Sequence, residues 1–238
     1  MFESITTVFG ALPWILQGAG ITVGTVLLAM LIGFCLGVPM AVGQVYGSPL
    51  TRRLVGTYVW FFRGVPILVL LYLFYFGLVY QLSPLEWSMF GHSFSINLDL
   101  SPFTASCIVL GLTSTAYQSQ IFRGSINSLP QGQLKAARAL GMNDASAIIS
   151  IILPQALRLS IPGWSNEYSI LLKDSALVSV LGTMELMSRT KAIATSTAEY
   201  TAFYVAAALL YFIITFLGVR GLRFVEKTCR IPGYTQAG

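Results

Sequence analysis

Hydrophobic residues fill this chain in long unbroken runs, and the polar residues gather between them. Four stretches carry no Asp, Glu, Lys or Arg: 4–51, 64–85, 100–122 and 200–219. A helix needs about 20 apolar residues to cross the hydrocarbon core of a bilayer, so each stretch has room for at least one span. A fifth span fits residues 161–186, provided that its internal charges face protein or water. Segments such as 23–38 and 67–80 do not alternate apolar with polar, which excludes a β-barrel. The pattern predicts an all-α, polytopic membrane protein of about five transmembrane helices, formed by one domain over residues 1–238.

Each span has its own punctuation. Span one, about 21–46, and the residue before it carry two glycine pairs four residues apart, Gly20 with Gly24 and Gly33 with Gly37, a spacing that lets helix backbones approach closely. Gly47-Ser48-Pro49 ends it. Residues 2–17 are expected to lie along the outer interface, with Trp14 at headgroup depth. Span two opens with WFFRGVP, placing Arg63 and Pro66 at its inner end. Arg63 either reaches for lipid phosphates or faces a cavity as the partner of a carboxylate. Span three, about 103–122, holds Thr113, Ser114, Thr115, Tyr117, Gln118 and Gln120. That density belongs in a bundle interior, either as interhelical hydrogen bonds or as the lining of an aqueous path.

Composition and charge then orient the bundle. The chain is 55% hydrophobic and only 10% charged, too apolar for an ordinary soluble surface. Its basic residues concentrate in alternate loops: Arg52 and Arg53, then Arg123, Lys135, Arg138 and Arg158, then Arg220, Arg223, Lys227 and Arg230. The positive-inside rule therefore puts the N-terminus outside and the C-terminus in the cytoplasm. The net charge of +5 is explained by anionic headgroups, with no nucleic-acid partner. MFESITTVFG lacks the basic region of a cleavable signal. Cys35, Cys107 and Cys229 have no metal-ligand spacing and read as packing residues.

Two segments exceed what an anchor needs. The first is the loop 130–154. Ser128 is expected to cap a helix with Pro130 in its first turn, and residues 131–140 are strong helix formers. Gly141 supplies a C-terminal cap and Asn143 starts the next helix, which Pro154 interrupts. A connector between packed helices needs only about 2–8 residues, so this projection has something to dock with. The second segment is the charged patch of span four. Glu167 and Asp174 are seven residues apart, as are Asn166 and Lys173, so each pair shares a helix face. Each charge costs about 2.5–3.5 kcal/mol at a helix centre, which partners must offset. Lys173 either locks to a carboxylate, or both signs line a cavity for a zwitterion. Pro162-Gly163 would let the backbone bend nearby.

Enzyme chemistry finds no footing. No GxxxxGK[ST] phosphate loop is present, His92 is the lone histidine and reads as solvated, and Ser179, Thr183 and Ser188 lack a base. LPQGQLKAARALGM, IILPQALR and IPGWSNEYSILLKDSAL, with FFRGVP and TAYQSQIFRG, resemble the inner-membrane permease subunits of polar amino acid ABC importers. The resemblance covers most of the chain. It implies five spans and a cytoplasmic coupling helix between spans three and four, the EAA loop. That loop would dock on the ATPase through Gln133, Lys135, Ala136, Ala137, Arg138, Leu140, Gly141 and Met142. Lys135 stands where the family usually has Glu, and Gln120 where an acidic residue is common. The resemblance further implies Arg63, Asn166, Glu167, Lys173 and Asp174 as the residues that meet the amino acid. Its implied partners are a dimer of ATPase subunits that binds ATP and Mg, an extracytoplasmic amino-acid-binding protein, and a second permease copy or paralogue. This chain would hold no cofactor itself. The favoured cargo is a basic or neutral polar amino acid. An ion-coupled secondary transporter and a membrane scaffold are the alternatives.

Overall fold

The computed structural model describes residues 2–79, 85–89, 92–96, 100–130 and 132–229. The side chains of residues 2–5, 78–79, 85–89 and 92–96 lie outside that description. The positions expected for Asp99, Gln131 and Arg230, and the solvation of His92, also lie outside the described residues.

Helix α1 runs unbroken from Phe2–Tyr46, through Pro13 and Pro39. At 1.5 Å per residue its 45 residues reach about 68 Å, more than twice a hydrocarbon core. The expected separate interfacial segment at 2–17 is therefore corrected: it continues span one and is held by packing. Ile15 is fully buried with Leu186, Ala194 and Phe203, and the Arg189 guanidinium sits 4.8 Å from the Trp14 ring. Of the four spaced glycines, Gly33 and Gly37 are close-approach points. A Cβ at Gly33 would strike the Gln118 side chain, and one at Gly37 would lie 3.2 Å from the Ser119 nitrogen. Gly20 and Gly24 have open space.

Helix α2 (Pro49–Gly64) was not foreseen as a separate element. Ser48 caps it by accepting from the Thr51 N–H, and Pro49 starts it. Its apolar side buries Val59 and Phe62, while Leu50, Leu54 and Trp60 remain exposed. The chain then bends by 106° at Val65-Pro66 into α3 (Ile67–Tyr72), which continues as a π-helical stretch, Leu73–Val79. Proline at 66 disfavours helix at the preceding residue, and Val65 is extended as a result. Strands β1 (Leu85–Met89) and β2 (His92–Ile96) form an antiparallel hairpin.

Helix α4 (Pro102–Asn127), capped by Ser101, is the polar span. It packs on α1, and Thr113, Ser114, Thr115, Gln118 and Ser119 are all buried. Ser128 ends α4 and does not open the next helix; its hydroxyl donates to the Ser125 carbonyl. The projecting segment follows as α5 (Gly132–Ala139) and the short α6 (Asp144–Ala147). Pro154 does not interrupt the helix after it. A π-helical stretch at Ile148–Ile152 leads directly into α7 (Leu153–Asp174), and the wider turn absorbs the proline ring. Pro162 and Gly163 likewise stay helical. Gly163 is a packing point, where a Cβ would come within 2.7 Å of Ile121. A 3₁₀ stretch, Ser175–Leu181, ends at Gly182 (φ +91°) and gives way to α8 (Leu186–Thr197) and α9 (Tyr200–Thr228).

Among the described residues, three helical stretches are long and apolar enough to cross a membrane: Thr6–Tyr46, Asp144–Leu181 and Tyr200–Thr228. The bent pair Pro49–Gly64 and Ile67–Gly77 makes a fourth if it counts as one span. Helix α4 does not qualify by composition, because its buried hydroxyls and amides lower its hydropathy. The core joins α1, α3, α4 and α7 through Val26, Met30, Leu70, Leu110, Leu171 and Leu172. Lipid-type surface is plain elsewhere: Leu31, Leu209, Phe212 and Leu217 are more than half exposed.

Candidate functional site

The polar face of α4 and the charged patch of α7 meet in one buried chain of hydrogen bonds. Trp164 Nε1 donates to Gln118 Oε1 at 2.6 Å. Gln118 Nε2 donates to the Ser114 hydroxyl and the Met30 carbonyl, both at 3.0 Å. Ser114 Oγ then donates to Glu167 Oε1 at 2.7 Å. Of the two readings for the polar face of span three, interhelical hydrogen bonding is therefore the one visible within this chain. Thr113 and Thr115 satisfy their hydroxyls on carbonyls one turn back. Gln120 bridges Gln44 and Arg123, and so adds no charge to the seam.

The four polar positions of α7 do not stay together. Glu167 is 3% exposed, Asp174 half-buried, and Asn166 and Lys173 exposed. Neighbouring positions on a helix are about 100° apart, so a boundary between protein and open space passes between 166 and 167. Among the described residues, Lys173 has no carboxylate within ion-pair distance; the ion pair there is Arg138–Asp144. Arg63 sits at the last turn of α2, exposed, with its guanidinium 4.9 Å from the Tyr117 ring. It and Asp174 lie within electrostatic reach of Glu167. The group so assembled is Arg63, Tyr117, Glu167 and Asp174, with Asn166 and Lys173 on the open side. Tyr117 and Trp164 were not singled out as site residues. The aromatic character of both was visible, but their partners lie on other helices.

The projecting hairpin has a sharp geometry. Gly141 adopts φ +82°, its N–H donates to the Arg138 carbonyl at 3.0 Å, and the Met142 N–H donates to the Ala137 carbonyl at 3.0 Å. These two bonds close α5 in a Schellman motif, as glycine at that position leads one to expect. Asn143 Oδ1 accepts from the Ser146 N–H at 2.8 Å and caps α6. Arg138 forks onto both oxygens of Asp144 at 2.7 Å across the turn. Gln133 exchanges amide hydrogen bonds with Gln155, and Ala137 is buried, so both face the body. Lys135, Ala136, Arg138, Leu140 and Gly141 face away, with Leu140 84% exposed and Met142 half-buried.

A second buried carboxylate went unnoticed in the sequence, where Glu185 reads as an outer-loop charge. It is fully buried and caps α8. Its oxygens accept from the Met187 and Ser188 N–H groups at 2.8 and 2.7 Å, from Tyr211 OH at 2.9 Å and from Thr22 Oγ1 at 3.3 Å. Three helices, α1, α8 and α9, are tied at this point. The signal for it in the sequence is slight: a Glu two residues before Met187 and three before Ser188, the spacing of a helix cap.

Fold and site together define a polytopic helical membrane protein with a polar seam through its interior and an exposed helical hairpin. The chain belongs to the family of binding-protein-dependent transport system inner membrane components, whose pattern spans residues 33–231. It is a non-catalytic permease subunit of the inner membrane, and the ion-coupled carrier and scaffold readings give way to that membership. It is 36% identical to the octopine transport system permease protein OccQ of Rhizobium meliloti over 92% of each chain. It is 33% identical to the arginine ABC transporter permease protein ArtQ of Escherichia coli K12, over 88% of this chain and 92% of that one. Among solved structures it is similar to a chain in the crystal structure of an amino acid ABC transporter with histidines. The TM-score there is 0.78 at 31% identity, covering 94% of this chain and 97% of that chain.

Proposed function

We propose that this chain carries polar amino acids, basic or neutral, across the inner membrane as the permease of an ABC importer. In this reading it works with a second copy or a paralogue, an extracytoplasmic binding protein and a dimer of ATPase subunits that hold ATP and Mg. Helix α4 serves as a fifth span, shielded from lipid by its neighbours, with the N-terminus outside and the C-terminus in the cytoplasm. The relatives named for arginine and for glutamine support a cationic or neutral cargo.

The observation that carries the proposal is the hairpin α5–α6. Its turn is fixed on one side by the Schellman bonds that close α5 and on the other by the Asn143 side chain that caps α6, yet it offers a leucine 84% exposed at its tip. A preorganised apolar projection of that kind fits a groove on a partner. Moved by an ATPase, it would turn the attached α7 as a rigid body and carry Glu167 with it. Cargo would rest between Glu167 and Asp174, which suit an ammonium or guanidinium, and Arg63 or Lys173, which suits its carboxylate. The test is ATP hydrolysis by the reconstituted complex with its binding protein. Arginine or glutamine is expected to stimulate it several-fold; no response to any amino acid would refute the proposal.

A further inference from the structure

The charge-free part of α9, residues 200–219, covers about 30 Å, the thickness of a hydrocarbon core. The helix does not end there. It continues to Thr228, more than two further turns through the depth where headgroups lie. Along one face of α9, from Phe212 to Lys227, runs an open, shallow groove of about 570 Å³ whose lining residues all belong to this one helix, Phe212, Phe216, Arg220, Arg223, Phe224 and Lys227 among them. Positions 212, 216, 220, 223 and 227 step by four, four, three and four, so they stand on a single helix face. That face changes character along its length: aromatic at Phe212 and Phe216, then bearing the cations Arg220, Arg223 and Lys227, with Phe224 standing among them. The Arg220 guanidinium lies 5.9 Å from the Phe216 ring, where the two halves meet. The acidic residue of this stretch, Glu226, is not among the lining residues.

We propose that this groove binds one anionic phospholipid. The phosphate and acidic headgroup would engage Arg220, Arg223 and Lys227, and an acyl chain would lie along Phe212 and Phe216. Charge complementarity selects this occupant. A symmetric contact with a second copy would set three cations against three cations. A soluble anion would leave the aromatic half of the groove without a ligand. The site also has a route to the transport machinery. Tyr168, next to Glu167, donates its hydroxyl to the Ile214 carbonyl of α9 at 3.2 Å and packs where Gly218 leaves room for its ring.

The experiment titrates the delipidated transporter complex, in neutral detergent, with phosphatidylglycerol or phosphatidylcholine, and reads bound lipid by native mass spectrometry. Phosphatidylglycerol is expected to bind one per permease chain, and phosphatidylcholine much more weakly. Each of Arg220→Gln, Arg223→Gln and Lys227→Gln should cost about fivefold in affinity, and the triple variant about 100-fold. Arg52→Gln with Arg53→Gln on α2 should change nothing. If the triple variant fails to insert, the single substitutions decide. Undiminished phosphatidylglycerol binding in the variants, equal binding of phosphatidylcholine, or displacement by inorganic phosphate would overturn the proposal. So would protection of the groove by a second copy of the chain.

Discussion

Two buried glutamates, eighteen residues apart in sequence, sit in opposite circumstances. Glu185 receives two backbone N–H groups and two hydroxyls, from three helices. Glu167, nearly as buried, receives one hydroxyl, from Ser114, among the described residues and has exposed Asn166 beside it. A buried carboxylate with its acceptor sites filled is a structural clamp, because its desolvation is offset by fixed partners. A buried carboxylate with one partner retains capacity for another donor, and that is what a binding site for an ammonium requires. The difference teaches that burial alone does not mark function. What matters is how much of the acceptor capacity the fold has already used.

The largest effect is expected at the clamp. Glu185→Ala leaves two half-buried N–H groups and the Tyr211 hydroxyl without their acceptor and removes the cap of α8. A loss of about 3 kcal/mol or more should follow, seen as a fall in folded yield on size-exclusion chromatography of detergent-solubilised protein. Normal yield would erase the contrast between the two glutamates. Gly141→Trp comes next and separates drive from cargo. The residue holds φ +82° with open space around it, so bulk there would block docking while insertion continues. ATP-driven uptake should drop at least tenfold. Gly141→Ala, which adds the backbone strain of about 1–2 kcal/mol without the bulk, should lose less. Glu167→Gln keeps the Ser114 hydrogen bond and the fold but removes the charge. Half-stimulation by cationic amino acids should weaken about tenfold, ~1.5 kcal/mol, with neutral ones little changed. An equal effect on every substrate would make Glu167 a second clamp. Smallest is Asp144→Asn. The Arg138–Asp144 pair is more than half exposed, and such pairs contribute little. The thermal midpoint should not move measurably.

The hairpin was legible in the sequence because its chemistry is local. Glycine after a run of helix formers, followed by Asn, dictates a Schellman closure and a cap within six residues, and the structure has both. Gly33 and Gly37 were legible for the same reason, as a spacing on one helix. The failures are non-local. The continuity of α1 from Phe2–Tyr46 depends on the packing of Ile15 and Trp14 against α8, more than 170 residues away in sequence. The bend after α2 was signalled by Pro66, but α2 itself was hidden inside what reads as the entrance to span two. The four polar positions read from the sequence all lie on one helix, α7, but not as one patch. Their division into buried Glu167 and exposed Asn166 depends on where α4 lies, and the spacing of four polar residues does not contain that. Glu185 was missed because each of its side-chain donors, Thr22 and Tyr211, stands in an apolar run of a different helix.

The claim at the centre is that this permease supplies a path and its partner supplies the energy. The direct measurement is concentrative uptake of labelled arginine into proteoliposomes, with ATP inside, comparing the chain alone with the chain plus its ATPase and binding protein. Accumulation against the gradient only in the complete system, abolished by vanadate, is the predicted result. Accumulation by the chain alone, driven by an ion gradient, would contradict it.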